Sequence, residues 1–251
     1  MEPIPAAQCQ RTALFLDVDG TLLELARTPD TVVVTDALRA LLAALEHALG
    51  GALALVSGRR IDDLDRVFTP LALPAAGIHG LERRAADGSR RAPPESSWRA
   101  DIAARLETFA ARHPGLRLED KGHALALHYR AAPALGAEAG AFCETLVQRA
   151  HSPLRLLRGK RVFEFIPDGY DKGSAITEFM HELPFTGRHP VFIGDDVTDE
   201  AGFAAVNRLG GRSIRVGTTN GSCAFESLPD VAAVHAWLQA TINGPGDGAR
   251  A

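Results

Sequence analysis

Residues 12–21 read TALFLDVDGT and residues 190–200 read PVFIGDDVTDE. Each is a short apolar run that ends in a cluster of carboxylates. Successive side chains of a strand point to opposite faces, so Asp17 and Asp19 project together while Val18 turns inward. Two carboxylates on one side can divide labour, one attacking while the other donates and then accepts a proton. Gly20 permits the sharp departure such a strand end needs, and Thr21 offers a hydroxyl to a phosphate or to the loop. A calcium loop of the EF-hand kind is excluded. Its fifth, sixth and twelfth positions would here be Thr21, Leu22 and Thr28, where Asp or Asn, Gly and Glu are required.

Outward from these clusters, apolar runs alternate with amphipathic stretches. The pattern predicts strands at 13–16, 52–56, 191–193 and 213–216. It predicts helices at 35–48, 59–68, after Lys172, after Thr198 and at 231–240. Such alternation specifies an α/β core with a parallel sheet, and open sheets of this kind bind ligands at the carboxyl ends of their strands. The middle differs. After Pro93 and Pro94 the pattern predicts a helix at 98–112, strands at 116–119 and 124–130, a second helix at 134–150, and strands at 154–157 and 162–166. This is an α+β module in the order αββαββ, inserted at 94–167 into a core made of 1–93 and 168–251. The Gly-rich end, 244–251, is expected to fray.

The 251 residues are 46% hydrophobic and 23% charged with a formal net charge of −4, which excludes a disordered chain and gives no overall attraction to nucleic acid or acidic lipid. No segment is apolar over a membrane-spanning length. The opening MEPIPAAQCQRT lacks an export signal, and three scattered cysteines form neither a disulfide framework nor a zinc site, so a cytoplasmic protein with no nucleic-acid or membrane partner is expected. Arg83, Arg84, Arg90 and Arg91 bunch together and are expected to form a solvated loop.

Mg²⁺ takes hard oxygen ligands, commonly one or two carboxylates plus a substrate phosphate, and Asp195 at a strand end is the best candidate to complete a site with Asp17. Asp199 is a ligand, a partner of the ligands, or a favourable charge in the first turn of the next helix, and Asp196 beside it is a further candidate to support the ligands. A phosphate dianion approaches a carboxylate only when repulsion is cancelled. Lys172, at a helix start, can supply positive charge, and Ser57 with the Gly58 amide can supply neutral donors.

Four stretches, FLDVDGT (15–21), LVSGR (55–59), the lysine of YDKG (170–173) and FIGDDVTDE (192–200), resemble the four motifs of the haloacid dehalogenase (HAD) superfamily. GIHGLERR (77–84), KGHALALHYR (121–130) and GKRVFEFIPDGYDKG (159–173) make the chain similar to trehalose-6-phosphate phosphatases within it. The resemblance implies a Rossmann-like core with an inserted cap of the C2B type. It implies hydrolysis of trehalose 6-phosphate through an aspartyl-phosphate on Asp17, with Asp19 as general acid and base. Mg²⁺ would be held by Asp17, the backbone carbonyl of Asp19, and Asp195, with Ser57 and Lys172 on the phosphate. Glu119, Lys121 and Glu164 match positions that hold the sugar, Arg130 belongs to the same neighbourhood, and a functional link to a trehalose-6-phosphate synthase follows. His79 and His123 are expected to be structural. The chain departs from the family pattern at Ile166, where a basic residue often precedes the proline. Other phosphosugars, such as sucrose-phosphate or mannosyl-3-phosphoglycerate, are the rival substrates, and a catalytically silent sugar-phosphate sensor is the rival from another class.

Overall fold

The computed structural model describes residues 1–25, 33–94, 97–150, 152–218 and 221–243. The Gly-rich end expected to fray lies outside them. Two compact units divide the chain, residues 1–91 with 171–251, and residues 92–170. The first stretch carries β1 (Thr12–Leu16), α1 (Asp36–Ala48), β2 (Leu53–Val56), α2 (Ile61–Phe68), β3 (Ala75–Gly77), β4 (Glu82–Arg84) and β5 (Arg90–Arg91). The second unit runs α3 (Trp98–Arg112), β6 (Arg117–Asp120), β7 (Leu125–His128), α4 (Gly136–Arg149), β8 (Leu154–Gly159) and β9 (Val162–Pro167). The first unit then resumes with α5 (Lys172–Phe179), β10 (His189–Gly194), α6 (Glu200–Arg208), β11 (Arg212–Val216), β12 (Glu226–Leu228) and α7 (Val231–Asn243).

Every residue of β1 and β2 is buried, which is why these runs show no polar alternation and occupy the middle of a sheet covered on both faces. The order is β12-β11-β10-β1-β2-β3-β4-β5, parallel from β12 through β3. Alternation sorts the core in two. Leu14, Leu16, Leu53, Leu55 and Ile193 face α1, α2 and α7, through residues such as Leu42, Leu64 and Leu238. Phe15, Ala54, Val56 and Phe192 face α5 and α6, through Ile176, Phe179 and Phe203. This is a doubly wound α/β core.

Three differences from the sequence pattern matter. Helix α2 starts at Ile61 rather than 59, because Arg60 is extended (φ −68°, ψ 152°), and this leaves Arg59 on the loop that follows β2. The short strands β3 and β12 lack a long apolar run and were not expected. The arginine bunch is no solvated loop, because it forms the antiparallel pair β4–β5 that extends the sheet. Neighbours on a strand point oppositely, so Arg84 reaches α2 and pairs with Asp65 at 2.6 Å, while Arg83 reaches α5, lies 4.7 Å from the Phe179 ring centroid and pairs with Glu178 and Glu182. Both are buried.

In the second unit the antiparallel sheet has the order β6-β7-β9-β8. Leu125, Leu127, Phe163 and Phe165 pack with Trp98, Ile102, Leu106, Cys143 and Leu146 of α3 and α4. By alternation Glu119, Ala126 and Glu164, level with one another across β6, β7 and β9, stand on the face away from that core.

Candidate active site

Leu16 is level with Leu55 on one side and Ile193 on the other. Asp17, Ser57 and Asp195 therefore leave the same edge of the sheet, at the carboxyl ends of three neighbouring parallel strands. Helix α5 delivers Lys172 as its first residue, and its start is fixed by a reciprocal capping box in which Asp171 accepts from the Ser174 amide at 2.7 Å. Four groups far apart in sequence thus belong to one small region.

The ammonium of Lys172 donates to Asp17 Oδ1 at 2.7 Å and to Asp199 Oδ1 at 2.5 Å, with the lysine only 2% exposed. Burial works against this charge, but the Asp17 and Asp199 carboxylates outweigh it and hold the lysine pKa above its usual value. Burial is also the largest influence on Asp17, raising its pKa well above its usual value. The charge of Lys172 opposes that rise, and those of Asp199 and Asp195 add to it. Asp199 is fully buried, and its Oδ2 accepts from the amides of Asp195 at 2.9 Å and Asp196 at 2.8 Å. It is therefore more than a helix-start charge, since it ties the loop after β10 to Lys172. Asp196 completes a reciprocal capping box with it.

Close approach of backbone explains two glycines. A Cβ on Gly20 would lie 2.2 Å from Asp195 Oδ2, and one on Gly194 would lie 2.4 Å from Asp199 Cγ. Gly20 also has φ +93°, a left-handed conformation costly for other residues. The Asp195 carboxylate accordingly rests against the backbone that follows Asp19.

Two arginines at the site were not assigned roles from the sequence. Arg59 donates from Nε to Asp19 Oδ2 and from Nη2 to Asp19 Oδ1, both at 2.7 Å. Arg215, on β11 and buried, donates to the Asp195 carbonyl at 2.7 Å and to Glu200 Oε1 at 2.8 Å. The signal for Arg215 was an arginine inside the apolar run SIRV, which has to find partners once buried. Ser57 Oγ accepts from the Arg59 amide at 3.1 Å. Thr21 is fully buried, and its hydroxyl bonds no protein group among the described residues.

In the second unit Lys121 and Glu164 are both buried and pair at 2.9 Å. Glu119 takes a 2.6 Å hydrogen bond from His128 Nε2, and this bond is the main cause of a lowered Glu119 pKa. His128 was not singled out from the sequence, although it falls two residues after Ala126 and so shares its face. Arg130 is exposed and donates to the Lys160 carbonyl at 3.4 Å. The His123 amide donates to the Lys121 carbonyl.

One carboxylate oxygen from each of Asp17, Asp195 and Asp199 lies within 4.8 Å of the others. This hard, anionic donor set fits a divalent cation such as Mg²⁺ and suits neither a soft metal nor an organic cofactor. Because both Asp199 oxygens already accept from Lys172 and two amides, Asp17 and Asp195 are the carboxylates best placed to hold such an ion.

A doubly wound sheet with carboxylates leaving two central strands, and a lysine at a helix start beside them, is the arrangement that the resemblance of the four motifs implies. More narrowly, the chain belongs to the trehalose-phosphatase family, whose model matches residues 15–227. It is 46% identical over 234 residues to the trehalose-6-phosphate phosphatase of Escherichia coli, covering 90% of this chain and 85% of that one. It is 45% identical over 229 residues to a probable trehalose-phosphate phosphatase of Sinorhizobium fredii, covering 91% and 86%. The same fold occurs in the C-terminal domain of Candida albicans trehalose-6-phosphate phosphatase, with a TM-score of 0.84 at 20% identity, over 95% of this chain and 94% of that one. The protein is a phosphoric monoester hydrolase. Among the described residues no helix is long and apolar enough to cross a membrane.

Proposed function

We propose that the chain hydrolyses trehalose 6-phosphate to trehalose and inorganic phosphate, with Mg²⁺ as cofactor. The observation that carries this reading is the Lys172 ammonium clasped between Asp17 and Asp199, with Asp195 alongside. Held by the Asp17 and Asp195 carboxylates and the Asp19 carbonyl, Mg²⁺ would supply the positive charge that lets a phosphoryl dianion meet a carboxylate.

An Asp17 oxygen attacks phosphorus in line, and the bond from phosphorus to the sugar oxygen breaks. Asp19 protonates that oxygen, which would otherwise leave as a strongly basic alkoxide. Water then attacks the aspartyl-phosphate and gives a proton to Asp19. The bond from phosphorus to Asp17 breaks, which frees phosphate and restores the carboxylate. Lys172, Ser57 and the Gly58 amide bind the phosphoryl oxygens throughout. Both Asp19 oxygens accept from Arg59, which fixes the orientation of the carboxyl group and leaves each oxygen a second lone pair toward the leaving group or the water. Asp199 and Asp196 support the ligands by holding the loop of Asp195.

The second unit acts as the cap that reads the sugar. Glu119, Lys121 and Glu164 are suited to bonding hydroxyls, being charged and set on the sheet face away from the helices. Arg130 is assigned to the edge of that surface. Ile166 brings no charge and is fully buried. The three free cysteines agree with a cytoplasmic enzyme, and a functional link to the synthase that makes its substrate follows from the same reading. A silent sensor is the weaker alternative, because Asp17, Asp19, Lys172 and Asp195 are all present.

A panel of phosphosugars with Mg²⁺ tests the assignment. Trehalose 6-phosphate should give the highest kcat/KM, and Asp17→Asn should abolish turnover while leaving the fold intact. A preference for sucrose-phosphate or mannosyl-3-phosphoglycerate would overturn the substrate, and normal turnover by the variant would overturn the chemistry.

A further inference from the structure

The segment Ile78-His79-Gly80 follows β3, and its three residues all have left-handed backbone, with φ of 47°, 55° and 105°. Left-handed conformation is ordinary for glycine and tolerable for Asn or Asp, but it is an outlier for a β-branched residue such as Ile78. Ile78 is fully buried and His79 is 8% exposed, so the conformation is imposed by packing. A plain turn would be met more cheaply by Gly or Asn at these places. Strain that persists in a buried segment marks positions where the surroundings over-determine the backbone, and such positions cluster at functional sites.

The strained conformation lets two successive amides reach back to the loop after β2. Ile78 N donates to the Arg59 carbonyl at 2.8 Å, and His79 N donates to the Ser57 carbonyl at 2.9 Å. Gly58 lies between those two carbonyls. The His79 ring packs directly on it, since a Cβ on Gly58 would be 2.7 Å from the ring Cε1 and 2.8 Å from Nε2. On its other side the segment abuts the start of α5. A Cβ on Gly80 would lie 2.6 Å from the Asp171 carbonyl and 3.3 Å from Ala175 Cβ. One tripeptide therefore touches both the Ser57–Gly58 backbone and the helix start that presents Lys172.

We propose that residues 78–80 form a strained brace that sets the spacing between the Gly58 amide and Lys172, with His79 as its positioning residue, so that both donors meet one phosphoryl group. This deepens the reading above and rests on it for the role of Ser57, Gly58 and Lys172. His79 does not touch the reacting atoms; its ring and its left-handed backbone keep Gly58 in place.

Two variants test it, read by thermal melting, by kcat and KM, and by calorimetric affinity of the Mg²⁺-loaded protein for inorganic phosphate. His79→Asn keeps a residue that tolerates the left-handed backbone and removes the ring. It should melt close to the wild-type temperature yet bind phosphate more weakly and lose roughly 10–100-fold in kcat, the scale of an ångström-sized misplacement. His79→Gly also relieves the strain. It should melt no lower than His79→Asn and show at least as large a functional loss. Wild-type phosphate affinity and kcat in His79→Asn would overturn the brace. So would two variants whose activity falls only in step with melting temperature, which is the mark of a merely structural turn. Failure of the underlying phosphatase reading would look different, because the wild type itself would then neither bind phosphate nor hydrolyse p-nitrophenyl phosphate.

Discussion

Lys172→Met removes a buried cation from between two carboxylates and leaves the rest of the core in place. At 2.7 Å from Asp17 and 2.5 Å from Asp199, the ammonium gains about 6 kcal/mol of attraction from each at an effective dielectric near 20, most of it offset by desolvation. Removing one partner of such a buried set costs about 3–5 kcal/mol, because the remaining charges stay uncompensated. For a domain of this size that corresponds to a fall in melting temperature on the order of 10 °C. The loss should depend on pH. Asp17 already has a folded pKa raised above its unfolded value, and loss of Lys172 raises it further. A group of that kind contributes stability that is fully present below the unfolded pKa and is lost as pH rises through the folded one. The gap between wild type and variant should therefore be widest near pH 8 and narrow toward pH 5, read by calorimetry on metal-free protein. An unchanged melting temperature, or a deficit of the same size at both pH values, would show that Lys172 does not compensate the Asp17 and Asp199 charges.

Gly20→Ala places a Cβ 2.2 Å from Asp195 Oδ2 at φ +93°, so it should cost about 1–2 kcal/mol in stability and weaken Mg²⁺ binding measured by titration calorimetry. Arg215→Ala frees the Asp195 carbonyl and should weaken Mg²⁺ binding about 10–100-fold with little change in fold, as for other residues that hold a ligand in place. Burial pushes the Cys143 thiol up to about 12, so at pH 8 it should resist Ellman's reagent until the second unit opens, and rapid native labelling would contradict the packing. Because that folded pKa is raised, the thiol's contribution to stability should fade as pH climbs from about 8.5, the unfolded value, toward the folded one.

The core and the carboxylate edge were legible because β1, β2 and β10 are buried on both faces, and such strands show as unbroken apolar runs whose ends are marked by Asp17, Ser57 and Asp195. Lys172 was legible for a related reason, since Asp171 and Ser174 announce a helix start. The arginines were read least well. Arg83 and Arg84 look solvated beside Arg90 and Arg91, and only the folded chain brings Glu182 and Asp65 to them. Arg59 and Asp19 are 40 residues apart, and nothing in either stretch names the other. Of the three roles left open for Asp199, burial sets aside the helix-start charge. A carboxylate that merely favours a helix start stays wet, whereas this one is sealed and accepts three hydrogen bonds.

The most direct measurement is a rapid acid quench of the Mg²⁺-loaded enzyme turning over radiolabelled trehalose 6-phosphate, followed by peptide mapping. A hydroxylamine-labile phosphate should appear on the peptide containing Asp17, and none in Asp17→Asn. Full turnover with no label on that peptide, or with label on another residue, would contradict Asp17 as the nucleophile.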